Sequence, residues 1–245
     1  MNREQIDRYA RHLVLREIGG SGQNALLGAS VGIVGAGGLG GPAALYLAAA
    51  GVGHIVVIDD DTVTLSNLQR QVQFDTDDIG ASKGRRLADR LMAISPDVKA
   101  GARHRRLDAD NAATLLTGLD IVLDGTDSFA SRFAVNDAAL RLGIPLVSGA
   151  VGRWDGQVGV FQTPGPCYRC FVPAAPPQEE PCAEVGVVGA LTGLVGSVMA
   201  METIKLITGA GESLAGRLWL YDGLTGVSRT ITLSRDPECP ACGPS

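Results

Sequence analysis

Short apolar segments alternate with longer amphipathic or alanine-rich segments through the first half of the chain. The short segments, rich in β-branched residues, predict buried strands at Ser30–Val34, His54–Ile58, Leu119–Leu123 and Ile144–Val147. The longer segments predict helices at Pro42–Ala50, Ser82–Ile94 and Ser128–Leu142. Strands that alternate with helices of this size imply βαβ units and a mainly parallel sheet.

The pattern changes after Gly149. Strand-like segments at Gln157–Phe161 and Arg217–Leu220 are separated by turns, and the proline-rich stretch 173–181 predicts an exposed loop. We expect the second half to extend the sheet with antiparallel strands. The predicted fold is therefore α/β, with a Rossmann-like mainly parallel sheet in one domain, residues 1–245, whose halves are 1–149 and 150–245.

An uncharged stretch from Val185 to Met201 carries Gly189 and Gly193 at the GxxxG spacing of membrane helix dimers. It is shorter than the roughly 20 residues that cross a bilayer, and Glu202 follows closely. We interpret it as a glycine-rich helix buried in the core or in a subunit contact.

Composition narrows the class of protein. The chain has 245 residues, 45% of them hydrophobic, and a net charge of −5. It carries no basic stripe for nucleic acid and no polybasic tail for a membrane surface. The N-terminal segment is rich in arginine and lacks the apolar core of a signal peptide, so we expect a cytoplasmic protein.

A glycine loop follows the first predicted strand and precedes a helix. Its motif glycines are Gly35, Gly37, Gly38 and Gly40. Glycines at these positions let the backbone approach a phosphate at a helix N-terminus, and Asp59, after the next strand, is placed to bind a ribose hydroxyl. The motif predicts a nucleotide site without choosing between NAD, FAD and ATP. An oxidoreductase therefore remains an alternative.

Polar residues follow the second strand, at an edge where open α/β sheets bind ligands. The candidate ligand-binding residues there and on the next helix are Asp61, Ser66, Asn67, Gln69, Arg70 and Lys83. Cations are needed where a triphosphate is cleaved and charge develops on the leaving pyrophosphate. A solvated charged surface is the alternative.

Two acidic residues, Asp124 and Asp127, follow the third predicted strand. A carboxylate beside a phosphate site is placed to bind Mg²⁺. Alternatively, Asp127 is the N-cap of the helix that begins near Ser128.

Four of the five cysteines form two C-x₂-C pairs far apart in the chain. Cys167, Cys170, Cys239 and Cys242 predict a tetrahedral structural zinc site, a clasp that joins two distant segments. Redox-active pairs or free thiols are the alternatives. The fifth, Cys182, follows the proline-rich stretch and is either a nucleophile with a lowered pKa or an inert thiol.

The glycine loop, the SNLQRQ and DGTD segments and the paired cysteines together resemble the ThiF/MoeB/HesA family, bacterial relatives of ubiquitin-activating enzymes. The resemblance runs from the segment around Arg11 to Cys242. It implies ATP-dependent adenylylation of the C-terminal Gly-Gly carboxylate of a ubiquitin-fold sulfur carrier, with release of pyrophosphate before thiocarboxylate formation.

The resemblance also implies roles for single residues. Gly38 and its neighbours contact phosphates, Asp59 binds the ribose, and Asn67, Arg70 and Lys83 line the triphosphate. Asp127 organises Mg²⁺, and Arg11 reaches into the partner's site in a homodimer. Ser128 replaces the family's asparagine, from which we expect a modest loss of activity.

Cys182 matches a cysteine that, in some members, links covalently to the carrier. The sulfur donor, such as a cysteine desulfurase or a rhodanese, is expected to be a separate protein. Segments resemble both the thiamine branch and the molybdopterin branch, so the carrier and the pathway stay open. A non-catalytic module that binds a ubiquitin-like partner is a further alternative.

Overall fold

The computed structural model describes residues 1–176 and 186–243. The described strands are β1 Ser30–Val34, β2 His54–Ile58, β3 Lys99–Arg103, β4 Ile121–Asp124, β5 Leu146–Gly152, β6 Asp155–Phe161, β7 Arg217–Asp222 and β8 Val227–Thr232. The described α-helices are α1 Arg3–Arg8, α2 Ala10–Leu13, α3 Gly19–Gly28, α4 Gly40–Ala49, α5 Lys83–Ile94, α6 Ala112–Leu116, α7 Phe129–Leu142, α8 Tyr168–Phe171 and α9 Gly189–Thr208. Two short 3₁₀ helices, Leu65–Asn67 and Thr76–Asp78, lie between β2 and α5.

The eight strands of the described residues form one sheet in the order β3-β2-β1-β4-β5-β6-β7-β8. The pairings from β3 to β5 are parallel, and those from β5 to β8 are antiparallel. The predicted fold class is confirmed. The chain leaves β1 for β2 on one side and returns through β4 on the other, so the strand order reverses between β1 and β4, where open α/β sheets bind ligands.

Successive residues of the central strands pack into two separate hydrophobic clusters, one on each face of the sheet. Ile33 of β1 belongs to the cluster beneath α4, α5 and α9, whereas Val34 belongs to the cluster beneath α6 and α7. A strand covered on both faces reads as a continuous apolar run, which is why β1, β2 and β4 were predictable.

Helix α9 confirms the predicted glycine-rich helix. It is long and apolar enough to cross a membrane by length and composition alone. Here its residues Leu191, Val195 and Met199 are buried in the core cluster shared with α4 and the sheet. Gly196 lies so close to the Leu39 carbonyl that a Cβ atom would be 2.7 Å away, so the small residue lets α9 approach the start of α4.

Strands β3 and β8 show a weaker apolar pattern in the sequence than the central strands. Every residue of β8 is exposed, and β3 has no fully buried residue, so neither shows the apolar signal of a strand. The predicted boundary between the two halves, at Gly149, falls within β5. The division of the chain into a nucleotide-binding half and a carrier-binding half stays a prediction.

Candidate nucleotide site and zinc clasp

A cavity of about 580 Å³ opens at the carboxyl ends of β1 and β4, where the strand order reverses. Ten of the predicted site residues line it: Gly35, Gly37, Gly38, Asp59, Asp61, Asn67, Arg70, Lys83, Asp127 and Ser128. The structure therefore brings together segments that lie far apart in the sequence.

The glycine loop is shaped by close backbone contacts. Gly35 has a φ of +89°, which favours glycine, and a Cβ atom on Gly40 would lie 2.0 Å from the Gly35 carbonyl oxygen. Gly40 does not line the cavity; it allows the loop to fold tightly onto the first turn of α4. Its role is to shape the loop from outside the cavity.

Asp59 ties the loop to the end of β2. Its carboxylate accepts hydrogen bonds from the backbone nitrogens of Ala36, at 2.7 Å, and Asp61, at 2.8 Å. Burial raises the pKa of Asp59, while these two amide donors and Lys83 oppose that rise. Each carboxylate oxygen keeps a further lone pair, so Asp59 can still accept a bond from a ribose hydroxyl.

Both predicted cations, Lys83 and Arg70, line the cavity. Lys83, at the start of α5, donates from Nζ to Asp61 Oδ2 at 2.9 Å, and its side chain is 8% exposed. Arg70 donates to the Ser66 carbonyl at 2.9 Å. Asn67 Oδ1 accepts from the Thr64 backbone nitrogen at 3.2 Å, which leaves its amide group available to a ligand.

Arg132 also lines the cavity, although no motif in the sequence marks it. It is 7% exposed and donates to Asp124 Oδ2, to Ser148 Oγ at 3.2 Å and to the Gly149 carbonyl at 3.0 Å. Asp124 also accepts from the backbone and hydroxyl of Thr126. Both oxygens of Asp124 are thus occupied within the protein, and its role is to hold the turn that carries Asp127.

The helix that follows is capped by Ser128. Its hydroxyl oxygen accepts from the Ser131 backbone nitrogen at 3.2 Å, in the geometry of an N-cap. Asp127 is therefore not the cap. It is exposed at the cavity and makes no hydrogen bond or ion pair with residues 1–176 or 186–243.

The remaining predicted site residues lie elsewhere. Ser66 and Gln69 are exposed and do not line the cavity, and neither does Arg11, which is exposed on α2. Cys182 lies outside the described residues. Two exposed arginines, Arg105 and Arg106, line the cavity although no motif in the sequence marked them.

The four paired cysteines form one cluster whose sulfur atoms all lie within 4.8 Å of one another. The Cys167–Cys239, Cys170–Cys242 and Cys167–Cys170 sulfurs are 3.5, 3.4 and 4.0 Å apart. A tetrahedral zinc with Zn–S bonds of about 2.3 Å requires sulfurs about 3.8 Å apart, so the residues fit that ion. Burial raises the pKa of the Cys167 thiol, and a bound cation would stabilise its thiolate.

Side chains anchor the first pair of cysteines to α7. Arg169 donates two bonds of 2.9 Å to Asp137, and its guanidinium lies 4.1 Å from the Phe133 ring centre. The Asn136 side chain accepts from the Tyr168 backbone nitrogen at 2.8 Å. The cluster therefore links the C-terminal segment to the helix that follows the Asp127 turn.

A family model described as the ThiF family matches residues 9–241. The chain belongs to the ThiF family. The match covers almost the whole chain, including the glycine loop, the Asp127 turn and the Cys167 and Cys239 segments, as the resemblance in the sequence implied.

Relatives within this family are similar over nearly all of the chain. The sulfur carrier protein adenylyltransferase of Thermus thermophilus is 47% identical over 98% of this chain and 92% of its own length. The SAMP-activating enzyme E1 of Haloferax volcanii is 45% identical over 98% and 89%. The probable adenylyltransferase/sulfurtransferase MoeZ of Mycobacterium tuberculosis is 47% identical, but this chain spans only 63% of its length.

A solved structure, E. coli MccB with ATP, has the same fold. It matches 97% of this chain and 75% of its own with a TM-score of 0.85 and 22% identity. At this identity the likeness concerns the fold alone.

A second cavity, of about 670 Å³, lies along β5 to β8 in this ThiF-family chain. It shares Ala150, Val151 and Gln157 with the cavity around the glycine loop, called the nucleotide cavity below. These three residues of the β5–β6 pair therefore border both cavities.

Proposed function

We propose that this chain uses ATP to adenylylate the C-terminal Gly-Gly carboxylate of a small ubiquitin-like sulfur carrier, with release of pyrophosphate. The observation that carries this proposal is the combination of Lys83, Arg70 and Asp127 around a glycine-loop cavity. The names of the relatives confirm the enzyme class, an adenylyltransferase, and they support a sulfur carrier as its substrate.

Adenylylation of a carboxylate requires little acid–base catalysis from the protein. The carrier's carboxylate, with an ordinary pKa below 4, is already ionised at neutral pH. One of its oxygens attacks the α-phosphorus of ATP, the bond from that phosphorus to the bridging oxygen breaks, and pyrophosphate leaves with the electron pair. No proton has to be removed, so the protein's task is to position the reactants and to neutralise charge.

The side chains around the cavity suit these tasks. Lys83 and Arg70 supply positive charge for the phosphates, and Asp59 binds the ribose. The Asp127 carboxylate has no partner in residues 1–176 and 186–243, and Mg²⁺ bound there would offset the charge of the triphosphate. Ser128, which caps α7, replaces the family's asparagine, and its hydroxyl donates to Ser131 Oγ at 3.0 Å.

The second cavity, a groove along β5 to β8, supports the proposal of a protein substrate. We place the extended tail of the carrier along this groove, because its lining shares Ala150, Val151 and Gln157 with the cavity around the glycine loop. A carboxylate at the very end of a flexible tail can follow such a route, and glycines at the tail's end need the least width. This favours a Gly-Gly tail over a small free acid.

A dehydrogenase would use the same glycine loop but leaves its dinucleotide's pyrophosphate intact. It has little need for the additional cations that line this cavity. The family match and the relatives' names also disfavour this alternative.

The chain acts as a homodimer in which Arg11 of each copy contributes to the other's site, and it receives sulfur from a separate donor. Cys182 takes part in sulfur transfer rather than in adenylylation. Thiamine and molybdenum cofactor synthesis are both candidate pathways.

The test is pyrophosphate release from ATP by the purified full chain, with a Gly-Gly-ended carrier and with the same carrier lacking its last glycine. We expect release only with the intact carrier, together with a mass increase of one adenylyl group. Tight NADH binding without pyrophosphate release from any carrier would refute the proposal in favour of an oxidoreductase. ATP and carrier binding without pyrophosphate release would indicate a non-catalytic module.

A further inference from the structure

Gln73 lies against the glycine loop on the side away from the nucleotide cavity. Its side chain is buried, with 5% of the residue exposed, and it does not line the cavity. Its Nε2 donates to the backbone oxygens of Ala36, at 2.8 Å, and Gly37, at 3.0 Å. One side chain thus binds two successive carbonyls of the loop.

These two bonds fix the direction of two amide groups. In a planar trans peptide the carbonyl of one residue and the N–H of the next point to opposite sides. Since the Ala36 and Gly37 carbonyls face Gln73, the N–H groups of Gly37 and Gly38 face away from it. Both glycines line the nucleotide cavity.

The same two amide nitrogens are available to a ligand. Neither the Gly37 nitrogen nor the Gly38 nitrogen donates to an acceptor among residues 1–176 and 186–243. Backbone N–H groups presented in this way at the start of a helix bind phosphate oxygens. Gln73 therefore holds two phosphate-binding donors in place from behind.

The arrangement leaves the oxygen of the Gln73 amide, Oε1, buried and without a hydrogen-bond partner in the described part of the chain. An unpaired buried acceptor is destabilising, and an apolar side chain of similar volume would avoid it. Gln73 thus donates two hydrogen bonds to the loop, while its unpaired oxygen lowers the free energy of unfolding.

Gly41 lies in the first turn of α4, and because it has no side chain the amide group of Gln73 can pack against it. A Cβ atom on Gly41 would lie 2.2 Å from both Cδ and Nε2 of Gln73. Glycine normally destabilises a helix relative to alanine. Here alanine would push the amide group of Gln73 away from the loop.

We infer that Gln73 is a positioning residue for phosphate binding, matched to Gly41, and that it orients the Gly37 and Gly38 amides toward the nucleotide. The inference rests on the proposed use of the glycine loop for a nucleotide. Gln73 touches neither the nucleotide nor the reacting atoms and acts through the loop.

The test is the dissociation constant for ATP, measured by calorimetry on the full chain. We expect Gln73→Met, which has similar volume but no donor, to weaken ATP binding about tenfold, the loss typical of one hydrogen bond to a charged group. Gly41→Ala should weaken binding by a similar factor in the wild-type background. In the Gln73→Ala background it should cause no further loss, because the obstructed side chain is gone.

Thr203→Val is the matched control. Thr203 is buried and donates to the Met199 carbonyl at 2.8 Å within α9, and it does not line the cavity. This variant should keep the wild-type dissociation constant. Wild-type affinity in folded Gln73→Met, or losses from Gly41→Ala and Gln73→Ala that simply multiply, would overturn the inference.

A parallel titration with NADH separates the inference from the proposed function. If the wild-type chain binds NADH and not ATP, adenylylation fails as a proposal. The Gln73 variants then still test the inference on NADH, because its pyrophosphate would use the same loop amides. Thermal melting of each variant identifies any loss that comes from unfolding.

Discussion

Asp124 and Asp127 lie three positions apart in one turn, and the structure predicts opposite consequences for their loss. Asp124 is 1% exposed and accepts bonds from Arg132, Ser148 and Thr126. Replacing it by alanine leaves the buried Arg132 guanidinium without its carboxylate. Breaking a buried ion pair in this way costs about 3–5 kcal/mol.

For a chain of this length each kcal/mol lowers the melting temperature by about 2–4 °C. Asp124→Ala should therefore melt roughly 6–20 °C below wild type. Asp127 is exposed and has no partner in the described part of the chain, so Asp127→Ala should change stability by about 0.5 kcal/mol or less and melting by about 2 °C or less.

The main effect of Asp127→Ala should instead be on activity. Loss of a group that stabilises developing charge lowers a rate by roughly 100- to 1,000-fold, so Asp127→Ala should nearly abolish carrier-dependent ATP–pyrophosphate exchange. The assay is exchange of labelled pyrophosphate into ATP at several Mg²⁺ concentrations, beside calorimetric melting of both variants. Wild-type exchange by Asp127→Ala, or melting of that variant as early as Asp124→Ala, would refute the reasoning.

Three further predictions concern other parts of the molecule. Metal analysis should give one zinc per chain. Strong chelators should lower the melting temperature sharply, because a four-thiolate site contributes on the order of 10 kcal/mol of apparent binding energy. A folded zinc-free protein would contradict the clasp. Lys83→Met should lower pyrophosphate exchange by about 100-fold. The free energy of unfolding should fall by less than about 1 kcal/mol, because the partner Asp61 is 58% exposed and can be rehydrated. A large loss of stability with normal exchange would contradict this role. Cys182→Ser should adenylylate the carrier at the wild-type rate, measured by exchange, and fail only in thiocarboxylate formation; loss of exchange would reassign Cys182 to the first step.

Periodicity predicted the central strands accurately. Strands β1 and β2 have the predicted bounds, because both of their faces are buried and their residues are accordingly apolar. The glycine loop and the cysteine pairs were predictable for a different reason: each depends on a local spacing that the chemistry of phosphate or zinc requires. Those signals are contained in a few adjacent residues.

Other features could not be predicted, because they depend on neighbours distant in sequence. Arg132 reads as an ordinary charged residue on an amphipathic helix, and only the approach of β4 and β5 makes it the partner of Asp124. The N-cap of α7 belongs to Ser128 rather than Asp127 because of backbone angles that the residue types alone leave open. Arg105 and Arg106 reach the cavity only because β3 lies beside β2.

The sequence by itself thus determined the family resemblance, the parallel core of the sheet, the glycine loop and the two cysteine pairs. Each of these follows from local spacing or from the apolar character that burial on two faces demands. The tertiary structure alone decided which of two neighbouring carboxylates has no partner among the described residues, which cations line the cavity and that Gln73 donates to the glycine loop. These depend on long-range packing, where a side chain's role is set by the atoms that the fold brings to it.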